Sequence, residues 1–327
     1  MEKIKQFWRE WRIVGITTLS IGGVVILLRV LGLLQSWEWA AFDQYMRLRP
    51  AQPQDDRIVI AGISEADVQY LQQGYIADSV YTRLLEKLKA RKPRAIGLDI
   101  YRDLPFQPGH EDLVKVFKST KYLVGIEKVV GDRNGNTVAA PPVLKALGQV
   151  GANDVIIDAD NKVRRGFIYL SDANKNNVYS FSLYLALLYL DKEGIAPETL
   201  ENGKIWQLGK TVFSRFQADD GGYIRADDRG YQMLLNYRGK AGFFDTVSLR
   251  DILEDRVPKD WGRDRIILIG TVGESFRDLF YTPYSGDLLS IPEPMSGVEV
   301  HAHLTSQIIS AAMEGRPLIK SCSEAQE

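Results

Sequence analysis

Residues 57–63 read RIVIAGI, residues 94–100 read RAIGLDI and residues 122–127 read YLVGIE. Each is a short apolar run bounded by polar or turn residues, the pattern of a strand buried on both faces. Between them, Leu84, Leu85 and Leu88 within 80–90, and Leu113, Val116 and Phe117 within 111–119, recur at helical spacing. A β-α-β-α-β order implies parallel strands joined by right-handed crossovers. Residues 265–270, RIILIG, repeat the character of the first run much further along. The predicted fold class is α/β: a mainly parallel sheet flanked by helices, with a smaller antiparallel and insertion region, preceded by one N-terminal transmembrane helix.

Working outward, 141–147 predicts a short helix after a GDRNGN turn at 131–136. Residues 148–157 and 163–170 predict an antiparallel pair, joined through the turn chemistry of Asp158-Ala159-Asp160-Asn161-Lys162. A core helix follows over 179–190. Residues 192–230, rich in Gly, Asp and Asn, predict a peripheral insertion with short strands at 205–208 and 212–213. Residues 231–237 predict a strand, 248–253 a capped helix and 298–313 a closing helix.

The 327 residues suit one large domain or two intimate lobes, and a 25% charged, 45% hydrophobic composition is that of a folded protein. With 41 basic and 42 acidic residues the chain lacks the footprint of a nucleic-acid binder. One cysteine, Cys322, makes no internal disulfide and excludes Cys-based zinc sites; it reads as part of a frayed tail.

Residues 13–34, IVGITTLSIGGVVILLRVLGLL, are long and apolar enough to span a bilayer. Arg29 lies near the far end, where its stem can snorkel. Trp8 and Trp11 precede the span and Trp37 and Trp39 follow it, as aromatic belts do. Lys3, Lys5, Arg9 and Arg12 keep residues 1–12 in the cytoplasm by the positive-inside rule, which places everything after residue 40 outside a cell membrane crossed once. A cleaved signal peptide is the alternative, but residues 33–40 offer no small-x-small cleavage site. Residues 35–56 form a connector whose helix ends at Pro50 and Pro53. Residues 57–313 are then the outer α/β domain and 314–327 a C-terminal tail.

The segments FDQYMRLRP (42–50), DDRIVIAGISEADV (55–68), PRAIGLDIYRDLP (93–105), GQVGANDVIIDADNKVRR (148–165), MLLNYRG (233–239), VSLRDIL (247–253), DRIILIG (264–270), SFRDLFYTP (275–283) and MSGVEVHAHLTSQII (295–309) recur in one order. Together they resemble the second type of the cyclase- and histidine-kinase-associated sensory extracellular domain (CHASE type 2), especially cyanobacterial examples. The resemblance implies an extracytoplasmic sensor controlling an intracellular cyclase, kinase or diguanylate cyclase. In such proteins further membrane helices and the output domain follow the sensor. This sequence reaches Glu327 without them, so the output is expected in a longer chain or on a partner, and no enzymatic activity is carried over. A homodimer is the expected signalling form, with Gly15, Gly22 and Gly23 as small helix-packing surfaces.

In open α/β sheets ligands bind outside the carboxyl ends of the strands. Here those ends carry Ser64, Glu65 and Asp67; Asp99, Arg102 and Asp103; Glu127; and Gly270, Thr271, Gly273, Glu274 and Ser275. Ser64, Glu65, Asp99, Arg102, Asp103, Glu127, Thr271, Glu274 and Ser275 are therefore the candidate ligand-binding residues, for a small molecule or other stimulus. Helix capping explains Ser64-Glu65-Ala66-Asp67 and Gly273-Glu274-Ser275 equally well.

Other motifs carry less. Gly270-Thr271-Val272-Gly273 lacks the phosphate-loop lysine. His301 and His303, two apart, face opposite ways on a helix; one of them could join Glu299 or Asp278 at a metal, but the plainer reading is one core and one surface histidine. Asp154, Asp158 and Asp160 lack the glycine and terminal Glu of a calcium loop and read as a solvated turn. Arg47 and Arg49 can meet headgroups, or pair with acidic residues at the domain base. No metal or cofactor is expected. Two rival functions remain: a membrane-anchored, metal-dependent hydrolase using the acidic rim, and a scaffold for another envelope protein.

Overall fold

The computed structural model describes residues 2–73, 75–131, 135–172, 174–200, 205–286 and 291–321. Cys322 and part of the 131–136 turn lie outside them. The chain divides into two compact units, one comprising residues up to Tyr45 with Gln217–Asp228, the other Met46–Phe216 with Arg229–Lys320.

In the first unit, α1 (Glu2–Val30) contains the apolar stretch Trp11–Val30, long enough to cross a membrane. The helix breaks at Gly32, which takes a left-handed φ of +75°, and resumes as α2 (Gln35–Leu48). Arg29 does not simply trail into solvent. Its Nη2 donates to the Gly221 carbonyl at 3.1 Å and its Nε lies 3.3 Å from Glu38. Trp39 packs on Tyr223 with centroids 5.2 Å apart.

The second unit is built on β1 (Ile58–Ile63), followed by α3 (Glu65–Leu71), α4 (Asp78–Ala90), β2 (Ala95–Leu98), α5 (His110–Lys118), β3 (Leu123–Glu127), α6 (Pro142–Ala146) and β4 (Val150–Ala152). Next come β5 (Arg165–Ser171), β6 (Asn177–Tyr179), α7 (Phe181–Asp191), β7 (Pro197–Leu200), β8 (Ile205–Leu208), β9 (Thr211–Phe213) and β10 (Tyr231–Leu234). The last elements are β11 (Asp245–Ser248), α8 (Leu249–Leu253), β12 (Ile266–Thr271), β13 (Leu279–Phe280), β14 (Met295–Ser296) and α9 (Gly297–Glu314).

Six strands form one sheet in the order β11-β1-β12-β2-β3-β4, and every pair in it is parallel. The RIILIG strand inserts between the first two, with Ile58–Ile63 facing Ile266–Thr271 residue for residue. Alternation along the strands sends Val59, Ala61, Ile96, Leu98, Ile267 and Ile269 to the face covered by α4, α5 and α8. Helices α7 and α9 cover the other face and touch each other. Their close approach explains two strand glycines. A Cβ at Gly97 would stand 2.6 Å from the Phe181 ring, and one at Gly270 would stand 2.5 Å from Val298 Cβ.

The antiparallel pair expected over 148–170 is not what forms. β4 joins the parallel sheet through β3, while β5 pairs antiparallel with β10 and β6. Only a single bridge, Ile156 to Arg165, survives from the expected hairpin. The segment before the turn finds a better partner in the exposed edge of β3 than in its neighbour in sequence. The expected solvated turn is also different: Asp158 is buried and binds Arg164 Nη1 at 3.1 Å and Arg165 Nη2 at 2.8 Å, and Asp160 holds Arg164 Nη2 at 2.6 Å. Arg164, 1% exposed, needs both carboxylates because a buried guanidinium is tolerated only when paired.

The 192–230 region includes the three-stranded β7-β8-β9 sheet. The turn after β8 reaches the end of α9: Lys210 N–H donates to the Ala312 carbonyl at 2.8 Å and Thr211 Oγ1 to that of Ala311 at 2.6 Å. Gly209 makes this possible, with φ +54° and its Cα against the Ala312 carbonyl. Helix C-terminal carbonyls that would otherwise lack partners are thereby satisfied.

Candidate functional site

Because all six strands run parallel, every carboxyl end lies on one edge of the sheet. The nine rim residues follow those ends, and their side chains do three different things.

Ser64 caps α3 in a reciprocal box: its main-chain N–H and its Oγ each donate to Asp67 Oδ2, at 2.8 and 2.7 Å. Asp67 also accepts the Arg250 N–H at 2.8 Å, which ties α3 to α8. Glu65 reaches across to the loop after β12, where its Oε1 accepts the Ser275 N–H at 2.8 Å. That bond holds the Glu65 carboxyl below its usual range. Thr271 ends β12 half-buried, and Glu274 and Ser275 are exposed on a short 3-10 turn. This part of the rim is brought together but is mainly a set of caps.

Arg102 turns away from it. Its guanidinium stacks over Tyr81 at 4.1 Å and Phe106 at 5.0 Å, donates to the Ile76 carbonyl at 2.9 Å, and lies 3.5 Å from Asp78. Asp78 also meets His110 Nδ1 at 2.7 Å. Asp103, next in the chain, is half-buried. Glu127 pairs with Lys145 at 2.5 Å on the wall of a groove of about 750 Å³, which Tyr179, Tyr184, Leu187 and Ile195 also line.

Asp99 is the distinctive member. It follows β2, is 7% exposed, and its Oδ2 is buried without a hydrogen-bond partner. Its Oδ1 has only Asn153 Nδ2, at 3.5 Å, the outer limit of a hydrogen bond. Asn153, just beyond β4, accepts the Tyr101 hydroxyl at 2.9 Å. Asp278, on the loop before β13, sets its carboxylate against Gly297, the first residue of α9, near enough to Asp99 for the two charges to interact. The Asp278 carbonyl accepts the Gly297 N–H at 2.9 Å.

One turn along α9, His301 is buried against the Phe181 ring, with centroids 5.4 Å apart, and its Nδ1 lies 3.1 Å from Ser182 Oγ. Burial raises Asp99 to about 7 and Asp278 to about 6, the latter helped by the Asp99 charge. Burial lowers His301 to about 4, against the opposing pull of Asp278, so the ring is neutral near pH 7.

The expected split into one core and one surface histidine does not hold, since His303 is buried as His301 is. His303 is 1% exposed, packed against Tyr237, Phe243 and Phe244, because α9 is buried on nearly every side. Glu299 accepts the Gly242 and Phe243 N–H groups, at 3.1 and 2.7 Å, and is occupied there. Among the described residues no group of three His, Cys, Asp or Glu is arranged to hold a metal ion. Tyr101 and Asn153 escaped the sequence reading. Tyr101 lies within the 99–103 stretch but carries no charge, and Asn153 follows a strand that the sequence places in an antiparallel pair rather than in the parallel sheet.

The far end of α9 enters a second polar cluster. Asp55 Oδ1 meets Arg57 Nε at 2.7 Å, and Asp55 Oδ2 accepts Ser306 Oγ at 2.6 Å and lies 3.5 Å from Arg238. Asn236 receives Arg49 from the connector and Arg316 from beyond α9, the latter at 3.0 Å on its carbonyl. Arg49 thus takes an amide, carbonyls and the Tyr284 hydroxyl rather than the acidic partners expected.

This is a parallel α/β domain behind an apolar N-terminal helix, with an unsatisfied acidic cluster at the strand ends. The family profile of the CHASE2 domain matches residues 20–327, and the chain belongs to that family. CHASE2 is a sensory extracellular domain of signalling receptors and not a catalytic one. No curated protein and no solved structure matches the chain.

Proposed function

We propose that this chain is the extracytoplasmic sensing part of a membrane-bound receptor, and that the stimulus acts at Asp99, Asn153, Asp278 and His301. The N-terminus is cytoplasmic and α1 is the anchor. The receptor works as a homodimer and controls a cyclase, kinase or diguanylate cyclase, carried in a longer chain or on a partner. The observation that carries this reading is the path of α9. It starts against the Asp278 carboxylate and ends among the groups that hold Arg49 of the connector and Arg316 of the exit. An 18-residue helix buried along most of its length moves as a body, so a change at its first turn reaches the cluster at its last. Any stimulus must favour one of two arrangements, since one that binds both equally shifts nothing.

The test is a thermal-shift screen of the detergent-solubilised chain with amino acids, osmolytes, nucleotides and divalent ions, and with pH as a further variable. A saturable shift that disappears in Asp99→Ala but persists in Glu274→Ala supports a site at the acidic cluster. A shift lost in Glu274→Ala and kept in Asp99→Ala moves the site to the loop after β12. No response to any condition overturns the reading.

A further inference from the structure

Asp99 N–H donates to the Ile269 carbonyl at 2.8 Å. The residue after Ile269, Gly270, packs on Val298, and Gly297, just before Val298, meets the Asp278 carboxylate. The two carboxyls therefore stand near each other at the start of α9, and among the described residues neither is paired with an arginine or lysine. The groups around the pair are the Tyr101 phenol, the Asn153 amide, Asp154 and His301. Arg102, the nearest arginine in sequence to Asp99, is committed to Tyr81, Phe106 and Asp78, and Arg277, next to Asp278, is exposed. Asp154 is itself occupied, accepting the Val129 and Val130 N–H groups at 2.8 Å each, and the Lys128 charge favours its ionised form. Two carboxylates so placed resist being ionised together, so the pair holds a proton to a higher pH than a free carboxyl does. The Asp99 Oδ2 atom is buried and has no hydrogen-bond partner, which is costly for a charged oxygen and favours the protonated acid.

We infer that the Asp99–Asp278 pair is a proton-binding site, and that proton uptake from outside the membrane is a stimulus this domain reports. The inference rests on the sensory reading above and names the ligand of that same cluster. Bound, the proton sits on Asp99, because the positive N-terminal end of α9 favours charge on Asp278. Released, it leaves two negative charges at the foot of α9, which repel and press on the Gly297 contact. The directions of titration agree: both carboxyls are raised well above the ordinary range, to about 7 and about 6. The two steps belong to the pair rather than to either residue. Folded-state values above the unfolded ones mean that stability is complete at acid pH and declines as pH rises from about 4 through about 7.

The experiment uses the full chain in detergent, with infrared spectra and melting temperature followed between about pH 5 and about pH 8. The expected result is a protonated-carboxyl band that fades over this interval while the melting temperature falls. Asp99→Asn and Asp278→Asn should each flatten the slope, and Asp99→Asn should melt higher than the wild type at the alkaline end. The wild-type band needs no variant, so a variant that fails to fold leaves the test intact. A band absent throughout overturns the inference, as does an unchanged slope in both variants. So does a saturable, Asp99-dependent stabilisation by magnesium or calcium at the alkaline end, which would make the site a cation site. If a small molecule acts through Asp99 while the pH slope is unaltered in the variants, the proton falls and the sensory reading stands.

Discussion

Replacing Asp55 by alanine tests the cluster at the far end of α9. The Asp55 side chain is 2% exposed and takes Arg57 through two contacts, Nε to Oδ1 at 2.7 Å and Nη2 to Oδ2 at 2.9 Å, with Ser306 at 2.6 Å. Breaking a buried ion pair from one side typically destabilises by about 3–5 kcal/mol. Arg57 keeps Ser310 and Glu314, both at 2.7 Å, and Arg238 keeps Ser306 and Ser310. The lower end, about 3 kcal/mol, is therefore expected. For a unit of roughly 260 residues that corresponds to a melting temperature lower by about 5 °C. Asp55→Asn retains the shape and one acceptor, and should lose about 2 kcal/mol.

The pH dependence carries a sign. Arg57 and Ser306 outweigh burial and hold the Asp55 carboxyl below its ordinary value. Its contribution is therefore present above about pH 4 and lost as pH falls further. The gap between wild type and Asp55→Ala should be constant from about pH 5 to 8 and close in acid, a window separate from that of Asp99 and Asp278. The assay is thermal or urea unfolding of the solubilised chain at several pH values. A loss below about 1 kcal/mol at neutral pH, or an equal loss at pH 3, would refute the reasoning.

Three further outcomes can be checked. Gly270→Ala places a methyl 2.5 Å from Val298 Cβ and should destabilise by about 1–3 kcal/mol in urea unfolding, displacing the first turn of α9. Gly209→Val forces a β-branched residue to φ +54° with its Cβ 2.4 Å from the Ala312 carbonyl; limited proteolysis should find the β8–β9 turn released from α9. Val24→Asp places a charge in the middle of the apolar stretch, at about 3 kcal/mol against insertion, and should move the chain into the carbonate-soluble fraction; continued anchoring would contradict the span.

Much of this protein is written locally. Short apolar runs that alternate with segments of helical spacing are the pattern of central parallel strands, so RIVIAGI, RAIGLDI and RIILIG together announce the sheet. The helix at 297–314 and the capped turn after Ser248 are legible for the same reason: spacing and capping are properties of neighbours in sequence. Pairing is not. The segment 150–152 was free to fold back on 163–170, and the edge of β3, more than twenty residues earlier, took it instead.

The same division runs through the site. That polar residues follow each strand could be read directly, and the parallel order put them on one edge. Whether each became a cap, an ion pair or an unsatisfied acid depended on what approached from elsewhere: Ser275 came to Glu65, Tyr81 and Phe106 to Arg102, Lys145 to Glu127, and to Asp99 a distant Asn153 amide and another carboxylate. The expectation that one of His301 and His303 lies at the surface fails because the rings that bury them, Phe181 for the first and Tyr237 and Phe244 for the second, are remote in sequence. Hydrophobic period and turn chemistry act over a few residues and are carried by the chain itself. Desolvation and the pairing of charges act across space, and they exist only once the sheet has closed and α9 has been laid against it.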